Sequence, residues 1–442
     1  MLPVQWHRLG HYGARDAAGR RIRTMLSNSA RYLIGPWHEA TYPGYASDGY
    51  LDLGGVEEAN IRYPAMTALT VATALQLDVY QASSLPATRA RTRLLDLIRT
   101  IAARHRSNNT DLASAWGSVW QSALWAYYNG AAAWLMWDKL AARERAHVVN
   151  MVVSEAQRLT TGDDIYLVGR DGYQLYMTSR DGTAVSPGDT KAEEDSWSAE
   201  LLGLAAAMMP HHPDAPTWRR RNIELLLASA ACPNDLTDNR TINGITPSTW
   251  LQGTNIADDG TLENHFLLHP IYMVAFDQNL YQGYAFGLAG QAAPAAALRN
   301  IDRVYHALVE KEFKTSDNST RTIYTPGSAD IYYPQGNDWG TDFPFYFGNF
   351  DLLVSLTGQD HSVSKKAASW EELHNDAQLA LMSRFTDGRT YGAEGENTYR
   401  GREMRVGVMA AQAYLTLFLT RNDTGNRIRW DRDTDGSSIS WL

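Results

Sequence analysis

The chain is 442 residues long, 44% hydrophobic and 20% charged, the composition of a folded globular protein with room for two domains or one large core. A net charge of −9 leaves no domain-wide basic surface and argues against nucleic acid as a partner; the runs Arg89–Arg93 and Arg219–Arg221 read as solvated helix faces. One cysteine, Cys232, excludes an internal disulfide and any multi-cysteine zinc site.

The opening residues show no basic segment followed by an apolar core, so no signal peptide is visible. A secreted or periplasmic protein stripped of its leader would read the same way, which leaves localisation open between that and the cytoplasm. Asn108, Asn239, Asn318 and Asn422 head acceptor sequons of a kind that chance also produces. Residues 1–55 read as a loop-rich N-terminal segment. Helical periodicity then runs over Val56–Tyr80, Pro86–His105, Leu112–Leu140 (with a bend expected at Asn129-Gly130) and Arg143–Leu159. The apolar run from Ala123 to Trp137 is too short to span a bilayer, and no membrane partner is expected. Asp164–Gly169 and Tyr173–Thr178 are β-like and flank Arg170-Asp-Gly, which predicts a small hairpin insertion. Helices resume over Lys191–Met209, Thr217–Ala231, a short stretch from Thr261, Tyr284–Gly290, Pro294–Phe313, Phe345–Leu356, Ser369–Ser383 and Arg402–Leu419. Residues 421–442 read as a solvated tail. Within it Asp431–Gly436 mimics the first half of a calcium loop, but Leu442 stands where that loop needs a glutamate.

About a dozen helices in successive antiparallel pairs, with no fixed repeat period, predict an all-α fold: an (α/α)6–7 toroid forming one catalytic domain over 1–442. An α-solenoid is the alternative; the 14 tryptophans, 23 tyrosines and long polar connections at 232–260 and 314–344 favour the toroid, whose loops would build a cleft.

Five stretches carry candidate chemistry. In Asp258–Tyr272, a helix from Thr261 would place His265, His269 and Tyr272 on one face at i, i+4 and i+7, although Pro270 interrupts that helix. Asp259, Glu263 and Asn264 lie in the same stretch. Two imidazoles and a phenol suit proton transfer, where the bland reading is a set of hydrogen-bonded core residues. Glu193-Glu194-Asp195 opens a helix; capping explains acids there, yet three in a row exceed what a cap needs, and Glu194 is the one expected to point into the ring. Tyr333, Asn337, Asp338 and Trp339 form a loop suited to hydrogen-bonding and stacking on a sugar. Arg400 and Arg402 offer guanidinium groups to a carboxylate, or are neutralised by Glu403. Trp116, Trp120 and Gln121 are neighbours that line either the cleft or the core.

The helical hairpins, with Asp259-Gly-Thr-Leu-Glu-Asn-His265 and Tyr272, resemble the (α/α)-toroid polysaccharide lyases, in which such a region supplies a catalytic histidine and often a tyrosine. The resemblance covers the architecture and about fifteen residues. The Asn-bearing, Trp-rich motif of one such group is not matched at 116–121, and a C-terminal β-sandwich of the kind many of them carry is not expected, because the sequence stops shortly after its last helix. It implies β-elimination on a uronate-containing glycan: His265 as base, Tyr272 or Tyr333 as acid, Asn264 and Arg400 neutralising the uronate carboxylate, and His269 orienting its neighbours. The alternative is an inverting glycoside hydrolase on the same scaffold, with two carboxylates from Glu194, Asp259, Glu263 and Asp338. A non-catalytic sugar-binding toroid is a third reading; a terpene-cyclase-type barrel is weaker, since no acid-rich signature of that kind is present. The partner is an oligo- or polysaccharide, for a monomer or homodimer. No cofactor and no catalytic metal are expected, with a structural divalent cation left open.

Overall fold

A computed structural model describes residues 1–82, 85–160, 175–425 and 428–432. Among the described residues twelve helices of seven or more residues form six pairs. The outer members are α1 (Ala17–Tyr32), α3 (Ala87–Ala103), α5 (Ala142–Arg158), α7 (Ala215–Ser229), α9 (Ile301–Val309) and α11 (Ala367–Ser383). The inner members are α2 (Glu58–Gln76), α4 (Ser122–Leu135), α6 (Ala192–Met208), α8 (Gln282–Leu288), α10 (Pro344–Thr357) and α12 (Arg402–Arg421). Around the ring α2 packs on α4, α4 on α6, α6 on α8, the turn Asp277–Leu280 ahead of α8 on α10, α10 on α12, and α12 back on α2. That closure makes the fold an (α/α)6 toroid and excludes an open solenoid.

Sequence explains which helix goes where. Every residue of α4 is buried, as is all of α6 but Glu193; α4 is almost wholly apolar or small, and α6 is so apart from its acids Glu193, Glu194, Asp195 and Glu200, as suits helices enclosed on every side. In α1 and α3, by contrast, arginines occupy one side and Ile22, Met25, Leu26 or Leu94, Leu97, Ile101 the other. Packing the inner helices closely favours small residues at contacts: a Cβ on Gly407 would meet the side chains of Leu33, just after α1, at 2.8 Å and Thr70 of α2 at 3.0 Å, so glycine there spares them a shift.

Several sequence expectations change. Residues 1–55 are not merely loop, because α1 lies inside them, capped by Asp16, whose carboxylate accepts from the Gly19 amide at 2.9 Å. Helix α4 starts at Ser122; residues 112–121 are non-helical, with Trp116 bridging to His105 and left-handed Ser118 beside Gly117. No break interrupts α4 at Asn129-Gly130, where the missing side chain admits Val152 and Leu204. The helix expected over 294–313 is divided by left-handed Asn300, so α9 begins at Ile301. The predicted hairpin at 164–178 falls largely outside the described residues; of its second arm, Thr178–Ser179 (β1) pairs antiparallel with Gly253–Thr254 (β2). In the tail, Trp430–Asp431 pairs parallel with Ala293–Pro294, while most of the calcium-like run lies outside the described residues. Among the described residues no helix is long and apolar enough to cross a membrane.

Candidate active site

All six inner positions direct their N-terminal ends at one cavity of about 460 Å³. Its wall takes Glu58, Arg62 and Tyr63 from the start of α2, Gln121 and Leu124 from α4, and Glu193 and Trp197 from α6. The run into α8 adds Asp277, α10 adds Tyr346, and α12 with its approach adds Tyr399, Arg400, Arg405 and Met409. Helix N-termini carry partial positive charge, and the wall mixes both signs: Arg62 pairs with Glu58 at 2.7 Å, Arg405 lies 3.8 Å from Asp277, and Arg400 stands exposed.

His265 and Tyr272 reach the cavity by a route the periodicity did not predict. Residues 261–269 are not helical. Glu263–Asn264 (β3) and Leu267–Leu268 (β4) form a two-residue hairpin whose turn holds His265 at φ 52° and Phe266 at φ 59°. Pro270 does not interrupt a helix but starts one, Pro270–Met273, with His269 at its N-cap. The hairpin and this single turn bring the three side chains together without a shared helical face. The Tyr272 hydroxyl lies 3.1 Å from His265 Nε2, His265 Nδ1 2.7 Å from Asp338 Oδ2, and His269 Nε2 3.0 Å from Asp338 Oδ1.

Burial works to raise the Asp338 carboxyl, but the hydrogen bonds from His269 and His265 outweigh it and hold it below the usual range. Asp338 is therefore ionised and accepts from both rings, which leaves His265 Nε2 free to accept from the phenol. Burial lowers the affinity of His269 for a proton, with Asp338 opposing. Burial, with Glu193 and Asp338 nearby, pushes the Tyr272 phenol far up, so it stays neutral and can act as a proton donor. Trp339 lies against both His265 and Tyr399, ring centres 5.7 and 6.0 Å apart, and closes this side.

Of the two glutamates, Glu193 and not Glu194 lines the cavity. Its Oε1 accepts from Asn264 Nδ2 at 3.2 Å and its Oε2 is buried without a partner. Burial and the neighbouring Glu194 push its carboxyl well above the ordinary range. Glu194 sits behind, accepting from the Trp120 indole at 3.2 Å with Lys191 Nζ 3.6 Å away, so it sets the position of Trp120. Asp277, pushed up to about 6 by burial against the pull of Arg405, lies at the floor with that arginine 3.8 Å away. Arg405 keeps its charge despite burial, because Tyr128 and Asp277 surround it.

Other candidates stand elsewhere. Asn264 is buried and both ends of its amide are engaged, by Glu193 and by the His265 N–H at 2.8 Å, so it tethers those groups instead of neutralising a substrate carboxylate. Asp259 pairs with Lys311 at 2.7 Å in a separate surface depression with Arg240 and Arg303. Glu263 faces solvent in β3. Trp116 is core, its indole bound to the Ile101 carbonyl at 2.8 Å. Tyr333 is outside the cavity wall, which removes it as the acid. Asn337 braces its own loop through the Gly340 carbonyl and the Trp339 amide. Arg402 binds the Asn397 carbonyl at 2.7 Å, and Glu403 accepts from the Thr390 and Tyr391 amides, so neither reaches the cavity. Trp120, Gln121 and Arg400 do line it; the Gln121 carbonyl accepts from Arg62 at 2.8 Å.

Sequence reasoning passed over Arg62, Asp277, Tyr399 and Arg405. Arg62 had a signal, the Glu58–Arg62 pair at i, i+4 on a helix start, and Arg405 stands three residues beyond Arg402. Asp277 had none. For a metal, His265, His269 and Asp338 offer ligand atoms within 4.8 Å of one another, the one such group found among the described residues. That donor set suits a borderline divalent ion such as zinc, but the same three groups already satisfy one another by hydrogen bonds.

No family model and no curated protein sequence matches the chain. Among solved structures it is similar to the GH76A α-1,6-mannanase from Salegentibacter sp. HEL1_6, with a TM-score of 0.43 and 11% identity over 88% of this chain and 98% of that one. An inactive variant of that mannanase in complex with α-1,6-mannotriose gives a TM-score of 0.42 and 11% identity, covering 88% and 99%.

Proposed function

We propose that this chain is a glycan-cleaving enzyme that breaks a uronate-containing chain by β-elimination. The observation that carries the reading is the line Asp338–His265–Tyr272, a carboxylate, an imidazole and a neutral phenol in hydrogen-bond sequence at the wall of an arginine-bearing cavity. Arg400, exposed at that wall, and Arg405 at the floor neutralise the uronate carboxylate, which makes the proton on the adjacent carbon acidic. His265 Nε2 takes that proton. The C–O bond to the leaving sugar breaks as the ring C=C bond forms, and Tyr272 gives its proton to the departing oxygen. The contact between Tyr272 and His265 then returns the proton to the phenolate and resets both groups.

A second reading has its own observation. Glu193 and Asp277 line the same cavity, and Glu193 is held protonated, as the general acid of an inverting hydrolase must be. Asp277, ionised above about pH 6, would then activate water.

One screen separates them: the purified protein is incubated with polygalacturonate, alginate, hyaluronan and α-1,6-linked mannan while ultraviolet absorbance and reducing ends are followed together. Absorbance from an unsaturated uronate, lost in Tyr272→Phe, is the expected result. Reducing ends without absorbance, lost in Glu193→Gln and retained in Tyr272→Phe, would transfer the assignment to the carboxylates. Silence on every glycan rejects both.

A further inference from the structure

We propose that Phe266 is a sugar-stacking subsite immediately outside the cavity, holding the ring of the glycan that follows the one being cleaved. Among the described residues Phe266 is the most exposed large apolar side chain, at 73%. Its backbone is left-handed, at φ 59°, directly after His265 at φ 52°. Two-residue hairpin turns of this kind are ordinarily built from Asn-Gly or Gly, because a bulky residue there is strained. Folding alone gives no reason to place a phenylalanine in water at such a position.

The surroundings supply one. The Phe266 amide donates to the Gly188 carbonyl at 2.8 Å, and its neighbour strand is tied to the same segment by Thr190 N–H to the Glu263 carbonyl at 3.0 Å. The ring lies against Gly188 so closely that a Cβ on that residue would sit 2.2 Å from it. Gly188 is itself left-handed, at φ 70°, so the segment is shaped to receive the ring. The phenyl group is thus fixed from behind by backbone while most of its surface stays in water, one residue from the imidazole that lines the cavity. The cavity wall itself offers a second exposed ring, Trp120, at 48%. Apolar ring faces held rigid and wet bind the C–H faces of pyranose rings.

This inference rests on the glycan-cleaving reading, and its test separates the two. On the glycan that the wild-type enzyme cleaves, KM and kcat are measured for its hexasaccharide and its shortest cleavable oligomer, in the wild type, Phe266→Ala and Phe266→Tyr. The expected result is a rise in KM of roughly three- to tenfold for the hexasaccharide in Phe266→Ala. KM for the short oligomer and kcat for both should hold, and Phe266→Tyr should restore affinity. Unchanged KM for the hexasaccharide overturns the subsite and leaves the enzyme reading intact. A fall in kcat on the short oligomer also overturns it, showing that Phe266 only holds the His265 turn. A wild type that neither cleaves nor binds any of the four polysaccharides removes both claims.

Discussion

Two histidine–aspartate pairs in this molecule have nearly the same chemistry and opposite settings. At the cavity, His265 Nδ1 is 2.7 Å from Asp338, with Tyr272 on the other ring nitrogen. Between α10 and α11, His374 Nδ1 is also 2.7 Å from Asp351, which accepts in addition from Tyr305 at 2.9 Å and Tyr324 at 2.8 Å. His265 and Asp338 are 39% and 46% exposed at their side chains; His374 and Asp351 are fully buried. In the first pair the far nitrogen meets a phenol beside an open cavity, whereas in the second it faces the core with no partner. Hydrogen-bonded residue types do not by themselves make a site. Access for a reacting atom does.

The comparison is broken most directly at the cavity. His265→Ala and Tyr272→Phe should each lower turnover by about 10²–10⁴-fold, the usual worth of a positioned acid or base, with the melting temperature nearly unchanged. A residual rate within a few-fold of wild type on the cleaved glycan would remove His265 and Tyr272 from the chemistry.

The buried pair predicts the reverse. His374→Ala leaves Asp351 enclosed without one of its hydrogen-bond partners and opens a cavity in the core, a change that costs on the order of 2–4 kcal/mol. Burial already pushes the Asp351 carboxyl up against His374 and both tyrosines, so the site has little tolerance for losing one of them. Urea unfolding should show the loss, while kcat per folded molecule stays near wild type. A stable His374→Ala variant with impaired kcat would mean that the second pair is coupled to the first.

Asp338→Asn sharpens the contrast within the cavity cluster, because it keeps the shape and removes the charge that fixes both imidazoles. Turnover should fall roughly 10²-fold, since an amide can present its N–H₂ to His265 and favour the wrong tautomer. The loss should be larger in kcat than in KM. If removing metal with a chelator reproduces the same loss in the wild type, His265, His269 and Asp338 are ligands and the acid–base assignment fails.

The ring was legible in the chain because its inner helices announce themselves. The stretch 122–135 is almost wholly apolar or small and 192–208 is so apart from its acids, whereas the outer helices α1 and α3 are polar on one side. The group His265, His269 and Tyr272 was legible as a cluster but not as a shape. A helical spacing was read where the chain makes a hairpin, since nothing local in His265-Phe266 signals a left-handed turn that glycine or asparagine usually occupies. The sequence suggests Asp338 as a sugar ligand or a catalytic acid, and its role as the anchor of both histidines depends on a contact across some seventy residues that no spacing encodes. The misplacement of Glu194 has a simpler cause. At a helix start two adjacent acids project about 100° apart, and only the packing of Trp120 and Asn264 decides which one faces the axis.

Glu194 extends the comparison to acids. Glu155 is wholly buried, yet Arg158, His105 and Ser122 overcome the burial and hold its carboxyl far below the ordinary range. Glu194 is nearly as buried, but Lys191 and the Trp120 N–H fall short, and burial pushes it up to about 7. The sign follows from proton binding. Between roughly pH 4.5 and 7 the native protein keeps a proton on Glu194 that the unfolded chain has released, so stability from this group is whole below 4.5 and declines through that window. The decline should be on the order of 3 kcal/mol, levelling above pH 7. In Glu194→Gln the amide oxygen can still accept from Trp120, and Lys191 retains Asp189 at 2.8 Å. That variant should therefore melt closer to the same temperature at pH 5 and pH 8 than the wild type does. Identical pH dependence in the two proteins would show that Glu194 is ionised throughout, and that the positive ends of the helices around the cavity outweigh its burial.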